Sequence, residues 1–314
     1  METADVIIVG GGPAGSACAA QLKRAGVDCL ILDKASFPRN KLCAGWITPD
    51  VFDLLEIAPS DYPHSLTHFD QFQIAIKGFQ LRLRVNQYAI RRIEFDDWLL
   101  ARSGARVIQH HVHHIHKKDG FFVIDDRFSC RYLVGAGGTH CPVQRSLFDT
   151  VLPRQERDLI VAMEDEVQAN AHDSNCRLWF FREGLPGYAW YVPKQGGYVN
   201  IGVGGSHTRL QEKGVTIRHY WQRLLVWLNT EGLLPDLELR PMGWNYYLQG
   251  DRVSLRAGNA LLAGDAAGLA TRDMGEGIRA AVQSGIRVGK TIVLNRDYIP
   301  AKLPRYSIVS LLFK

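Results

Sequence analysis

The sequence predicts an α/β fold in two lobes, and three observations carry that prediction. The chain opens with a short apolar strand, a glycine turn and a helix. Its middle alternates apolar and polar residues with period two. A second strand, glycine turn and helix close it. Such an order implies a parallel-sheet lobe that is discontinuous in sequence, interrupted by a mostly antiparallel sheet lobe.

The opening element comes first. Val6-Ile7-Ile8-Val9 is β-branched and apolar throughout, as a strand covered on both faces requires. Gly10, Gly12 and Gly15 follow with the spacing G-x-G-x-x-G, around Pro13 and Ala14. In that spacing the first glycine permits the turn, the second lets backbone approach a pyrophosphate, and the third lets the helix pack on the strand. The helix is expected from about Pro13 to Arg24, with Gly26 as its stop. Its N-terminal N–H groups suit phosphate. A second strand, Cys29-Leu30-Ile31-Leu32, delivers Asp33 and then Lys34. An acid about 20 residues beyond the glycines is the position that bonds a ribose hydroxyl. Strand, turn, helix and acid together read as a Rossmann-like dinucleotide site.

Composition sets the limits. At 314 residues the chain can bury a large core in two lobes. No apolar run approaches the length of a spanning helix, about 18 residues. Residues 5–9 are too short for the apolar region of a signal peptide, so the expected location is cytoplasmic. Cys18, Cys29, Cys43, Cys130, Cys141 and Cys176 show no metal spacing and read as reduced thiols. The net charge of +5 is mild and spread along the chain, which disfavours nucleic acid and permits, without demanding, contact with an anionic membrane surface. The apolar segment from Tyr306 to Phe313 reads as a packed tail, with membrane contact as the alternative.

The remaining elements follow in order. Residues 66–87 alternate about Lys77-Gly78 and predict a hairpin. A helix is expected over 91–103, then short strands to 134 with Asp119-Gly120 as a hairpin turn. Leu159–Val167, Cys176–Phe181 and Tyr198–Val203 read as strands, and Thr216–Asn229 as a helix. Residues 260–264 form the last strand, and 276–294 a long helix. The first lobe is therefore expected to comprise 1–65, 88–150 and 255–300. The second comprises 66–87 and 151–254, with 301–314 as a tail. The tract His110-His111-Val112-His113-His114-Ile115-His116 has no Cys, Asp or Glu at ligand spacing, so no metal is expected.

Five segments give the chain a family resemblance. They are the glycine turn; Pro38-Arg39-Asn40-Lys41-Leu42-Cys43-Ala44-Gly45; Arg92-Ile93-Glu94-Phe95-Asp96; Gly187-Tyr188-Ala189-Trp190-Tyr191-Val192-Pro193; and Gly264-Asp265-Ala266-Ala267-Gly268 with Gly275-Glu276-Gly277-Ile278. In this order the segments resemble the geranylgeranyl reductase family of FAD-dependent oxidoreductases, a branch of the aromatic-hydroxylase-like flavoproteins. The resemblance implies bound FAD. It places the Arg39, Cys43 and Gly45 loop near the flavin, Arg92 on the pyrophosphate, and backbone near Val112 at the adenine end. It assigns Asp265, beside Gly264, to a ribityl hydroxyl, and Gly275, Gly277 and Ile278 to the flavin ring. Tyr188, Trp190 and Pro193 would line the pocket of an apolar substrate.

The implied reaction is reduction of a carbon–carbon double bond in an isoprenoid-type chain by hydride from reduced FAD. Cys43, a tyrosine or water would add the proton. No second G-x-G-x-x-G is present, so electrons are expected from transient NAD(P)H or a reduced carrier protein. A monooxygenase of the same superfamily is the alternative; a halogenase fits less well, because Tyr188 stands where halogenases carry tryptophan. A non-catalytic FAD-binding protein is the alternative of another class. Oligomeric state is left open. The chain departs from the family pattern in four ways. Gly135-Ala136-Gly137-Gly138 lacks the usual aspartate, Asp33 replaces glutamate, Thr271-Arg272-Asp273 stands where a proline is usual, and relatives often continue further.

Overall fold

The computed structural model describes residues 1–169, 173–233, 238–251, 254–296, 298 and 303–307. In chain order the first elements are β1 (Glu2–Val9), α1 (Pro13–Arg24), β2 (Cys29–Asp33), β3 (Trp46–Ile47) and α2 (Asp50–Leu55). The hairpin β4 (Leu66–Ile76) and β5 (Phe79–Ile90) leads into α3 (Arg92–Arg102). Next come β6 (Arg106–Gln109), β7 (Ile115–Lys118), β8 (Phe121–Ile124), β9 (Phe128–Gly135) and α4 (Pro142–Leu147). They are followed by β10 (Leu159–Gln168), β11 (Cys176–Phe180), β12 (Gly187–Lys194), β13 (Tyr198–Ser206), α5 (His207–Glu212) and α6 (Ile217–Thr230). Last are β14 (Met242–Tyr247), β15 (Arg256–Ala257), β16 (Ala260–Leu262) and α7 (Ile278–Leu294).

Two compact units result. The first is built from Met1–Arg39, Phe95–Arg154 and Tyr247–Ser307, the second from Asn40–Glu94 and Gln155–Tyr246. The division differs from the expected one: 151–154 and 247–254 fall in the first unit rather than the second, and two segments move the other way. Residues 40–65 and 88–94 join the second unit, because β3 pairs with the end of β5 at Trp46–Ala89 and Ile47–Tyr88. A two-residue strand has too little period-two signal to be read from sequence.

In the first unit the strand order is β15-β16-β9-β1-β2-β6, with β7 and β8 folded back antiparallel onto β9. β16, β9, β1, β2 and β6 run parallel. Val6, Ile7, Ile8, Leu30, Ile31, Leu133 and Val134 form the dry centre, as their unbroken apolar runs require. α1 and α7 pack unusually closely. A Cβ at Gly285 would lie 2.1 Å from the Ala14 carbonyl oxygen, and one at Gly289 2.7 Å from Gln21 Cβ. This glycine pair, four residues apart on one helix face, brings the closing helix onto the opening one.

In the second unit the order is β14-β10-β13-β12-β11-β4-β5-β3. Alternation gives this sheet two unlike faces. Met163, Ala189, Tyr191, Val199, Ile201 and Val203 point to one side. There they pack with Tyr220, Trp221, Leu224, Trp227 and Leu228 of α6 in one apolar cluster. The opposite face carries Tyr188, Trp190, Glu164, Glu166 and Asn200 by the same register. Lys77 and Gly78 both have positive φ, the conformation of a tight two-residue hairpin turn. The segment Ile308–Phe313, part of the tail considered above, lies outside the described residues.

Candidate active site

In the first unit, four turns far apart in sequence meet at the carboxyl ends of the parallel strands. Val9 is level with Leu32 on one side and Gly135 on the other, and Gly135 is level with Leu262. Backbone bonds lock the level: Gly10 N–H to Leu32 O at 2.8 Å, Ala136 N–H to Val9 O at 2.8 Å, and Ala263 N–H to Gly135 O at 2.9 Å. In open parallel sheets this edge is where ligands bind. The glycines are there because nothing else fits. A Cβ at Gly10, where φ is +111°, would lie 2.4 Å from the Ala136 carbonyl oxygen, and one at Gly15 1.9 Å from the Gly10 carbonyl oxygen. Gly12 differs: its missing Cβ would meet only the Arg39 guanidinium, at 3.2 Å. That is the open cradle a pyrophosphate needs, with a cation at its rim and the first turn of α1 behind it.

Asp33 is buried and does more than await a ribose. Its carboxylate accepts the Gly11 N–H at 2.7 Å and the Ala35 N–H at 2.9 Å, so it holds the glycine turn against β2. Arg39 pairs with the buried Asp96 at 3.2 Å and lies over the Phe37 ring. The His110 backbone N–H donates to Asp33 O at 2.7 Å, which carries Val112 into the core near the end of β2. The histidine tract wraps Asp125. His110 Nε2 lies 2.7 Å from its carboxylate, and the His113 and His114 N–H groups donate to it. Burial raises the Asp125 pKa, but these bonds outweigh it and hold the group below the usual carboxylate range.

The closing motif completes the cradle. Gly264 N–H donates to Ser284 Oγ at 2.9 Å, which ties the turn to α7. The Asp265 carboxylate lies 3.2 Å from where a Gly277 Cβ would stand. Gly275 has φ of +63°, and Gly277 precedes Ile278, the first residue of α7. Two devices here were not legible from the motifs. Arg154 donates to the carbonyls of Thr139 and Ala266, stitching the middle glycine turn to the closing one. Asp273, where the family's proline is usual, accepts the Ser307 N–H and hydroxyl, while Arg272 N–H donates to Arg305 O. Hydrogen bonding to residues 305–307 thus ties down this loop.

The second unit gathers the other candidates. Cys43 is half-buried, and its Sγ accepts the Gly45 N–H at 3.3 Å. The remaining cysteines are buried, and burial pushes Cys29 up to about 11 and Cys130 up to about 12. Gly45, with φ of +79°, seats the loop against β5: Ile90 N–H donates to its carbonyl at 2.9 Å, and a Cβ would lie 2.2 Å from Ile90 O. Trp46 follows and stacks on Tyr188 at 6.3 Å. Tyr188 in turn lies 5.1 Å from Phe180 and 5.6 Å from Trp190. The Trp190 indole lies over Gly202, where a Cβ would come within 2.2 Å of its ring, and donates to Asn200 at 2.7 Å. Tyr188 and Trp190 therefore form an aromatic wall, and Trp46 and Phe180 extend it. Pro193 does not join them: it is level with Val199 on the opposite face, as strand alternation dictates for an odd-numbered position.

Beside the wall lies a buried polar row that the motifs did not announce. Lys194 Nζ pairs with Glu166 at 2.5 Å, and Arg91 pairs with Glu166 and Glu94, each at 3.0 Å, over the Tyr198 ring. Glu164 is buried with one carboxyl oxygen unpartnered. Burial pushes its pKa up to about 7, with Lys194 and Lys41 opposing the rise. Two glutamates spaced i, i+2 on one face of β10, either side of Asp165, were the available signal for this row. Arg92 is buried at the first position of α3.

Glycine turns at the strand ends of one unit and an aromatic wall on the sheet of the other are the features of a flavoprotein of the FAD-dependent oxidoreductase class. Comparison with known proteins agrees. A model of the FAD binding domain matches residues 3–59. The chain is 32% identical over 310 residues to an uncharacterised protein of Methanosarcina barkeri, covering 93% of this chain and 75% of that one. It is 30% identical over 339 residues to a menaquinone reductase of Mycobacterium tuberculosis, covering 94% and 78%. A geranylgeranyl diphosphate reductase of Rhodobacter capsulatus is 26% identical over 90% of this chain and 73% of its own. Among solved structures, a geranylgeranyl bacteriochlorophyll reductase-like protein of Thermoplasma acidophilum superposes with a TM-score of 0.79 at 20% identity, covering 98% of this chain and 83% of that one. The chain belongs to the geranylgeranyl reductase family of FAD-dependent oxidoreductases.

Proposed function

We propose that this protein reduces carbon–carbon double bonds in a polyprenyl chain. The observation that carries the reading is the aromatic wall of Trp46, Phe180, Tyr188 and Trp190, with the Cys43 loop leading directly into it. The names of relatives point the same way: menaquinone, geranylgeranyl diphosphate and digeranylgeranylglycerophospholipid all carry polyprenyl chains. Bound FAD, once reduced, supplies the hydride for one alkene carbon.

This chain's residues do the rest. Gly10, Gly12, Ala14 and Gly15 present backbone to the pyrophosphate, and Arg39 and Arg92 offset its charge. Arg91 is already committed to Glu166 and Glu94, which supports Arg92 in that role. Asp33 fixes the glycine turn, and Lys34 and Val112 lie at the adenosine end. Gly264, Asp265, Gly275, Gly277 and Ile278 hold the ribityl and ring portion. Tyr188 and Trp190 orient the apolar chain by contact, where water would offer it nothing. The Cys43 Sγ–H gives its proton to the second alkene carbon. NAD(P)H or a reduced carrier protein serves as electron donor.

The test is mass spectrometry of a polyprenyl alcohol incubated anaerobically with reduced protein in deuterium oxide. Each reduced bond should gain two hydrogens, both as deuterium, because the flavin N–H that supplies the hydride and the thiol that supplies the proton exchange with solvent. Cys43→Ala should retain FAD and lose turnover by a factor of about 100 or more, the range of a general acid. Unchanged turnover in Cys43→Ala would move the proton to another donor.

A further inference from the structure

One sheet face of the second unit joins the wall to the surface. Along the β4–β5 hairpin, Ile76 is level with Phe79, Ile74 with Leu81 and Phe72 with Leu83. β11 continues the face, with Phe180 level with Ile76 and Leu178 level with Ile74. β12 carries it on to Tyr188, level with Phe180, and Trp190, level with Leu178. Side chains at paired positions share a face, so this is one apolar stripe from Trp190 to the hairpin turn. Exposure rises toward the turn: Trp190 is 6% exposed, Leu81 41% and Phe79 79%. Ile76 and Phe181 are exposed there too. Large apolar side chains clustered at a tip mark an interaction site.

Charge identifies the partner. Between Gln71 and Ile90 the hairpin carries Lys77, Arg82 and Arg84 and no acid. Arg82 and Arg84 are exposed and alternate with Leu81 and Leu83, so they lie on the other face of the hairpin from the stripe, while the exposed Lys77 sits at the turn itself. Long basic side chains beside exposed aromatics fit the boundary of an anionic bilayer, where stems bury and heads stay wet. A second protein would require roughly 800 Å² of complementary surface, more than four partly exposed side chains at a turn present.

We propose that the β4–β5 hairpin tip docks on an anionic lipid surface, and that the stripe behind it leads a polyprenyl chain from that surface to Tyr188 and Trp190. The second half of this proposal rests on the polyprenyl reductase reading; the docking half does not.

The experiment is co-sedimentation of the full chain with vesicles of phosphatidylglycerol and phosphatidylcholine, and with phosphatidylcholine alone. Wild-type protein should bind the anionic vesicles more tightly, and added salt should weaken binding. Phe79→Ser with Leu81→Ser should lose about tenfold or more in affinity, and Lys77→Glu about fivefold or more. As a second measurement, Phe79→Trp should show emission quenched by brominated lipid chains. No vesicle binding by wild type, equal binding by the serine variant, or a Phe79-dependent dimer in light scattering would each overturn the docking. Turnover of a short polyprenyl alcohol in detergent is read on wild-type protein separately. Binding without turnover leaves the docking and sinks the stripe's role in delivering substrate; turnover without binding sinks the docking and leaves the reductase reading.

Discussion

The first unit builds its candidate site from backbone, and the second builds its own from side chains. In the first, Gly10, Gly12, Gly15 and Gly264 sit where a Cβ would strike a carbonyl, an arginine head or a neighbouring helix. Their spacing is imposed by close approach, so it survives as a motif. In the second, Tyr188, Trp190, Glu164 and Lys194 meet because they share a strand face or a level across strands. Many residue types satisfy that geometry, so the wall and the polar row leave a weaker trace. The contrast predicts that small changes in the first unit abolish cofactor retention, whereas changes in the second leave FAD bound and alter what is done with it.

The largest effect should come from Gly10→Ala. The new methyl meets the Ala136 carbonyl at a backbone angle that L side chains rarely adopt, so the expected cost is about 3 kcal/mol or more. Purified variant should lack absorbance at the flavin bands and unfold at lower denaturant. Arg154→Met comes next. It removes the guanidinium bonds to Thr139 and Ala266 in a partly buried setting, worth roughly 2 kcal/mol. Bound FAD should fall while the second unit's near-ultraviolet signal persists. If Arg154→Met retains FAD fully, the two glycine turns hold each other without it.

Gly202→Ala carries the comparison into the second unit. Its methyl would overlap the Trp190 ring, costing roughly 1–3 kcal/mol by overpacking. FAD content should stay at the wild-type level while KM for the polyprenyl substrate rises. The smallest effect belongs to Glu164→Gln and is read from pH. The folded chain binds this proton more tightly than the unfolded chain, since burial raises the pKa from 4.5 to about 7. Its contribution is therefore full below about 4.5 and is lost as pH rises through about 7. The melting temperature of wild type relative to Glu164→Gln should fall across that window and level off above it. A flat difference would show that Glu164 is not buried as a neutral acid.

Most of the first unit was legible: α1 runs over the expected Pro13–Arg24, and the two glycine motifs do meet at one strand edge. Less visible were contacts with no local period. Arg154 acts through carbonyls on two distant turns, and no spacing announces such a residue. The Gly285 and Gly289 pair reads as ordinary small residues until α1 is seen against it. α5 is a single six-residue turn-like helix after Ser206, too short for a 3.6-residue pattern to emerge. The family motif groups Pro193 with Tyr188 and Trp190, but odd and even strand positions face opposite ways.

The central claim is that reduced FAD on this chain is spent on an alkene. The direct measurement is anaerobic stopped-flow absorbance of the reduced protein mixed with a polyprenyl substrate. The account predicts return of the oxidised flavin bands without oxygen, at a rate that depends on substrate concentration. Reoxidation by oxygen alone, with the substrate acting only as a hydroxylation target, would contradict it.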